Sequence, residues 1–95
     1  MNNDNRHADD VRRRKLAYRA AHRGMKEMDV ILGGYVARNI DTMSAEELDV
    51  LEQIISLPDT DLLNWVTGRE KVPDEHKSQL LEAILAYTTK PEDYT

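Results

Sequence analysis

Residues 17–36, AYRAAHRGMKEMDVILGGYV, read as two helices with a break between them. After the break, Met25, Met28, Leu32, Tyr35 and Val36 recur at i, i+3, i+7, i+10 and i+11. That spacing puts them on one buried face of a helix over about Met25–Arg38. Before it, Leu16 and Ala20 lie four apart and Val11 and Tyr18 seven apart, a thin apolar stripe on a helix over about Ala8–His22. Glycine costs roughly 1 kcal/mol relative to alanine inside a helix. Gly24 is therefore expected at the turn, where it can take the positive φ that strains other residues. The pair forms a helix–turn–helix corner.

The same signals continue downstream. SAEEL, residues 44–48, places Ser44 at an N-cap and Glu47 three residues on, a capping box ahead of Leu48, Leu51, Ile54 and Ile55. Pro58 ends that helix. A short fourth segment, DTDLLNWVTG, is expected to start with Asp59 as N-cap and to stop at Gly68 in left-handed geometry. A fifth opens after Pro73, with Asp74 as cap, Glu75 in the first turn, and Leu80, Leu81, Ile84, Leu85 and Tyr87 as its stripe. No stretch alternates apolar and polar residues for long, and phenylalanine is absent. Helices joined by short links pack on their neighbours. The expected fold is all-α: a small five-helix bundle forming a single domain over 1–95, with about 1–8 and 89–95 flexible.

A chain of 95 residues builds one small core with little room for an enclosed catalytic cavity. It has no cysteine, hence no disulfide, thiol nucleophile or thiolate ligand, which fits a reducing compartment. No apolar run reaches the roughly 18 residues that span a bilayer, so no membrane insertion is expected. Asp4, Asp9 and Asp10 argue against reading the Arg-rich start as a transit peptide, and a cytoplasmic location is expected. The net charge of −5 is unevenly spread: residues 1–40 hold nine Lys/Arg against five Asp/Glu, residues 41–95 four against thirteen. Such polarity can orient the molecule toward a complementary partner.

Conventional catalysis finds no support. His7, His22 and His76 are far apart and lack a second metal ligand at helical spacing, and no H-E-x-x-H, Walker or G-x-G-x-x-G pattern occurs. The chain is expected not to be an enzyme and to hold no metal. Interest returns to HRGMKEMD, residues 22–29. A capped corner accounts for Gly24 and for Glu27, whose carboxylate can reach back to an orphan amide. It does not account for Arg23, Lys26 or Asp29. No core stripe claims Arg23, which is expected on the outside of the corner, sharing a rim with Glu27 and with Arg19 or Lys26.

The stretch RGMKEMD, residues 23–29, resembles the R-G-x-x-E motif of the succinate dehydrogenase flavinylation factor family, small proteins that help attach FAD covalently to a flavoprotein subunit. PDTDLLNWV, residues 58–66, is similar to that family's aspartate-rich turn with an Asn-Trp pair, and the likeness covers roughly residues 10–85. It implies a five-helix assembly factor or chaperone that binds the immature, FAD-loaded flavoprotein subunit of succinate dehydrogenase or fumarate reductase. FAD then belongs to the client and is not stably bound here. Arg23, Gly24 and Glu27 fall on the motif positions, Met25 and Lys26 on its variable ones. Asp29 matches an acid common there, and Asn64 with Trp65 the second signature. The Gly33-Gly34 pair and the longer N-terminus depart from some members. By this resemblance Arg23, Gly24, Glu27, Asp29, Asn64 and Trp65 are partner-binding residues, and the rim of the corner adds Arg19 and Lys26; the planar fork of Arg23 suits a client carboxylate or a phosphate oxygen. A monomer is expected, with a homodimer as the alternative.

Other readings stand beside it. Arg12, Arg13, Arg14, Lys15 and Arg19 on one helix suit a nucleic-acid-linked regulator such as an antitoxin, although the acidic pI and the lack of a clear recognition helix oppose that, and no nucleic acid is expected as partner. A protein that binds free flavin by itself would need a phosphate-cradling loop, and none is visible. Trp65 is either core or an exposed anchor. Gly33 and Gly34 mark either local packing or close approach of the client. Met25 and Met28 are read as core filler.

Overall fold

The computed structural model describes residues 2–87, with side chains from residue 8 onward. Among these residues five α-helices form: α1 Asn2–Ala21, α2 Lys26–Asn39, α3 Ala45–Ile55, α4 Asp59–Val66 and α5 Gln79–Tyr87. Short 3₁₀ turns at Ile40–Thr42 and Asp74–His76 lie in two of the links, and the described residues contain no strand. The all-α bundle expected from the sequence is the one found. The expected flexible tail at 89–95 lies outside the described residues.

Local chemistry sets most of the boundaries. Ser44 Oγ accepts from the Glu47 amide at 3.1 Å, and Glu47 Oε1 accepts from the Ser44 amide at 2.9 Å, completing the capping box at the start of α3. Gly68, at φ +79°, follows the end of α4 in the left-handed region. Three expectations need correction. α1 begins at Asn2 and not near Ala8. Asp59 is the first residue of α4 and caps nothing: Pro58 holds the N-cap position, and the Asp59 carboxylate is drawn to Arg23 instead. α5 starts at Gln79, not just after Pro73, because Lys77 is extended (ψ 133°) and Ser78 Oγ takes the Leu81 amide at 3.0 Å as the working cap.

The core runs through all five helices. Met28, Leu32, Val36, Leu48 and Leu51 are fully buried, joined by Leu16, Ala20, Leu62, Leu81 and Ile84. α2 is the central element, packed on α1, α4 and α5, while α3 packs on α1 and α5. The approach of α1 to α2 depends on Gly33. A Cβ placed there would lie 2.7 Å from the Ala21 Cα and 3.3 Å from the Ala20 carbonyl oxygen. Gly34 gives similar room to the Tyr87 ring, which meets Tyr35 edge-on at 5.9 Å. Both glycines thus serve packing within the chain. On α1, Leu16 and Ala20 face inward, but the expected pair of Val11 and Tyr18 is not on the buried face, and Tyr18 points to solvent. It lies two residues from each buried position, hence on nearly the opposite side of the helix, and is 64% exposed.

Two arginines of the N-terminal half are committed to other elements, Arg13 at the end of α2 and Arg12 along α3. Arg13 donates to the carbonyls of Ile40 and of Met43 (2.9 Å to the latter) and pairs with Asp9 at 2.7 Å. Arg12 reaches α3, meeting Asp49 at 2.7 Å and Glu52 at 3.1 Å. Those bonds, Asp49 first, raise the Arg12 guanidinium above its ordinary pKa. The basic run 12–15 is therefore half committed to the fold. Among the described residues no helix is long and apolar enough to cross a membrane.

Candidate functional site

α1 ends at Ala21 and α2 begins at Lys26, so 22–25 make the corner. Gly24 has φ +98°, the left-handed conformation expected of it. A Cβ there would meet nothing within 4 Å, so glycine is needed for the backbone angle, and the surface beyond it is open.

The expected place of Arg23 is corrected. Its side chain is only 8% exposed, and every guanidinium nitrogen is engaged within the chain. Nε donates to Asp59 Oδ1, Nη1 to the Ile55 carbonyl at 2.6 Å, and Nη2 to the Leu57 carbonyl. The physical reason is an acceptor problem at the end of α3. The last carbonyls of a helix lack partners, and a cation near them is favoured by the helix dipole. The last turn of α3 contains no basic residue, and the link to α4 is short and contains Pro58, which has no amide proton. A planar fork from the neighbouring corner satisfies two carbonyls and one carboxylate together. A bidentate pair with a client carboxylate is consequently not open to this guanidinium.

The roles of the two acids are also exchanged. Glu27 does not cap the corner: the N-cap residue of α2, Met25, receives no side-chain bond. Asp29 Oδ1 accepts the Arg23 amide at 2.6 Å instead. Two residues apart on a helix point to nearly opposite sides, so when Asp29 faces the corner, Glu27 faces outward. Glu27 is exposed, and among the described residues it makes no hydrogen bond or ion pair; Lys26 and Arg19 are in the same condition. The structure therefore joins Arg23, Asp29 and Asp59 in one internal network and leaves Arg19, Gly24, Lys26 and Glu27 facing solvent. Asp59 was not singled out from the sequence as a site residue. The signal for it was an α3 C-terminus without its own cation, followed by an aspartate.

Trp65 is 8% exposed and packs with His76, ring centroids 5.7 Å apart, beside the 70–78 link and α5. It is a core residue, placed further along α4 than the turn that meets the corner. Asn64 is half-buried, and its carbonyl accepts the Glu70 amide at 3.1 Å. Asn64 and Trp65 thus serve the C-terminal half of the bundle and do not join the rim of the corner. Among the described residues no cluster of His, Asp or Glu is placed to hold a metal ion.

Comparison with known proteins gives matches over most of the chain. A family profile described as "Flavinator of succinate dehydrogenase" matches residues 14–88, which include the corner and all of α2 to α5. The chain is similar to "FAD assembly factor SdhE" of Acetobacter pasteurianus, 45% identical over 75 residues, which are 79% of this chain and 69% of that protein. It is also similar to "Succinate dehydrogenase assembly factor 2, mitochondrial" of Dictyostelium discoideum (31% identical over 86 residues) and of Candida glabrata (32% over 87). Those matches cover 82% and 87% of this chain but 61% and 57% of the mitochondrial proteins, so the chain spans less than two thirds of their length.

Proposed function

Because this chain belongs to the family of flavinators of succinate dehydrogenase, we propose that it is an assembly factor promoting covalent attachment of FAD to the flavoprotein subunit of that enzyme. The observation that carries the reading is the corner at 22–29. It lies within the matched region, is braced from inside by Arg23, Asp29 and Asp59, and turns outward a lysine and a glutamate that nothing in the fold uses.

In this reading the protein supplies no catalytic group, and FAD arrives bound to the client. Exposed Lys26 and Glu27 meet the immature, FAD-loaded subunit. Gly24 adds no side chain between the two backbones. Arg23 contributes by holding the corner in shape, and not by touching the client. Binding would keep the client's reacting groups in register, an effect of position and not of chemistry. The factor works as a monomer in the cytoplasm, and the flavoprotein subunit of fumarate reductase is a second client.

The test is complementation of a strain lacking the native factor, read by in-gel flavin fluorescence of the denatured subunit. Wild type restores covalent flavin. Glu27→Ala, which breaks no internal bond, leaves unfolding unchanged within about 0.5 kcal/mol and lowers the fluorescence severely. Full flavinylation by Glu27→Ala would remove the corner from the mechanism.

A further inference from the structure

α1 carries a second outward-facing feature. Val11, Arg14, Lys15, Tyr18, Arg19 and His22 follow one another at i, i+3, i+4, i+7, i+8 and i+11, one continuous stripe along the helix. Its inward counterpart is Leu16 and Ala20. Arg14, Lys15 and Arg19 are exposed, and among the described residues they form no ion pair or hydrogen bond. They differ in this from Arg12 and Arg13 on the same helix, whose charges are met by Asp49, Glu52 and Asp9. Tyr18 is the one exposed large hydrophobic side chain among the described residues. Its ring is held in place by stacking on His22, centroids 3.9 Å apart and planes 14° from parallel. The His22 ring is in turn fixed by a 2.9 Å contact between Nδ1 and the Tyr18 carbonyl.

We propose that this stripe is a docking face for an acidic segment of the flavoprotein client, carboxylates on Arg14, Lys15 and Arg19 and an apolar side chain on Tyr18. The proposal rests on the function proposed above and extends its contact surface beyond the corner. Charge complementarity is the first argument. Three cations with no internal partner sit on one face of a molecule whose net charge is −5, so their attraction is available to an outside anion. A pre-positioned aromatic at the centre of such a face adds apolar contact at low entropic cost. Continuity is the second. A shallow groove lined by Val11, Arg14, Lys15, Tyr18 and Arg19 runs into another lined by Tyr18, Arg19, His22, Arg23 and 55–59, and so reaches the corner. A nucleic acid fits less well, because a polyanion would find three free cations on this face of a protein whose net charge is −5.

The probe is the succinate dehydrogenase flavoprotein subunit, FAD-loaded but not yet covalently flavinylated, purified from a strain lacking the factor. It is titrated with wild type, with R14E/K15E/R19E, with R14Q/K15Q/R19Q and with Tyr18→Ala, at low and at moderate salt. All four proteins keep their helix content and unfolding midpoint, since the changed groups have no internal hydrogen-bond or charge partners beyond the Tyr18–His22 stack. The charge-reversed protein binds roughly tenfold or more weakly at low salt and gains affinity as salt is raised, while the neutral one loses less affinity and most of the salt dependence of wild type. Tyr18→Ala binds more weakly at both salts. Wild-type affinity and salt dependence in both triple variants would overturn the docking face while leaving the proposed function intact. So would a salt-sensitive DNA gel shift, or a dimer in sedimentation, abolished by charge reversal with client affinity unchanged. If wild type itself neither binds the subunit nor raises its covalent flavin, the proposed function and the docking face fall together.

Discussion

Arg23 and Asp59 are 36 residues apart in sequence and form an ion pair whose arginine is 8% exposed and whose aspartate is 20% exposed. The pair fastens the α1–α2 corner to the start of α4, and the same guanidinium closes the end of α3 through Ile55 and Leu57. Three helical segments are thus tied at one cation. Removing it strands a carboxylate and two carbonyls that water reaches poorly. Arg23→Ala is expected to cost about 2–4 kcal/mol, somewhat below the loss typical of a fully buried pair because Asp59 keeps some contact with solvent. Asp59→Ala costs less, about 1–2 kcal/mol, since the carbonyls still hold the guanidinium. The double variant should fall short of the sum by about 1 kcal/mol. Urea unfolding followed by circular dichroism measures all three, and simple additivity would show the two side chains to be independent.

Gly24→Ala tests the corner without touching any side-chain bond. The space around a new Cβ is empty, so the whole cost comes from the positive φ, about 1–2 kcal/mol. An asparagine at the same position should recover part of that loss, because it tolerates left-handed backbone better. Equal stability of the alanine and glycine proteins would mean that the turn readily adopts another conformation.

Gly33→Ala sets two effects against each other. Helix propensity alone favours alanine by about 1 kcal/mol. Against it, the Cβ would meet the Ala21 Cα at 2.7 Å, and backbone cannot rotate away as a side-chain end would. Overpacking of this kind costs about 1–3 kcal/mol. The expected outcome is a lower unfolding temperature, and a rise would show that α1 can shift outward at little cost.

Trp65 provides a spectroscopic check, as the sole tryptophan in the chain. Its burial beside His76 predicts emission at short wavelength and weak quenching by iodide. Client binding at the corner should leave that emission where it is. A marked shift on binding would make Trp65 a contact residue.

How far the sequence reached differs from element to element. The capping box at Ser44 and Glu47, the turn at Gly24 and the stop at Gly68 involve atoms within a few residues of one another, and all three were legible as letters. The stripes of α2 and α3 were legible for the same reason, since 3.6-residue periodicity is local. α5 was legible as a stripe, but its start was displaced. Proline and aspartate at 73–74 are good openers in general, and nothing nearby showed that Ser78 would be the working cap.

The candidate site divides along the same line. RGMKE identified the corner and its exposed Glu27 and Lys26, because which side of a helix a residue faces follows from its distance to the buried positions. It placed Arg23 on the wrong side. The acceptors that turn the guanidinium inward belong to Ile55, Leu57 and Asp59, and no periodicity in the corner refers to them. Five helices, the inner faces of α2, α3 and α5 and a glycine turn follow from the letters alone, all consequences of backbone sterics and short-range hydrogen bonding. That the arginine braces the corner from within while the glutamate is left to solvent depends on contacts made across the fold. A long cation goes to whichever unpaired carbonyls folding brings within its reach, and those lay more than thirty residues away.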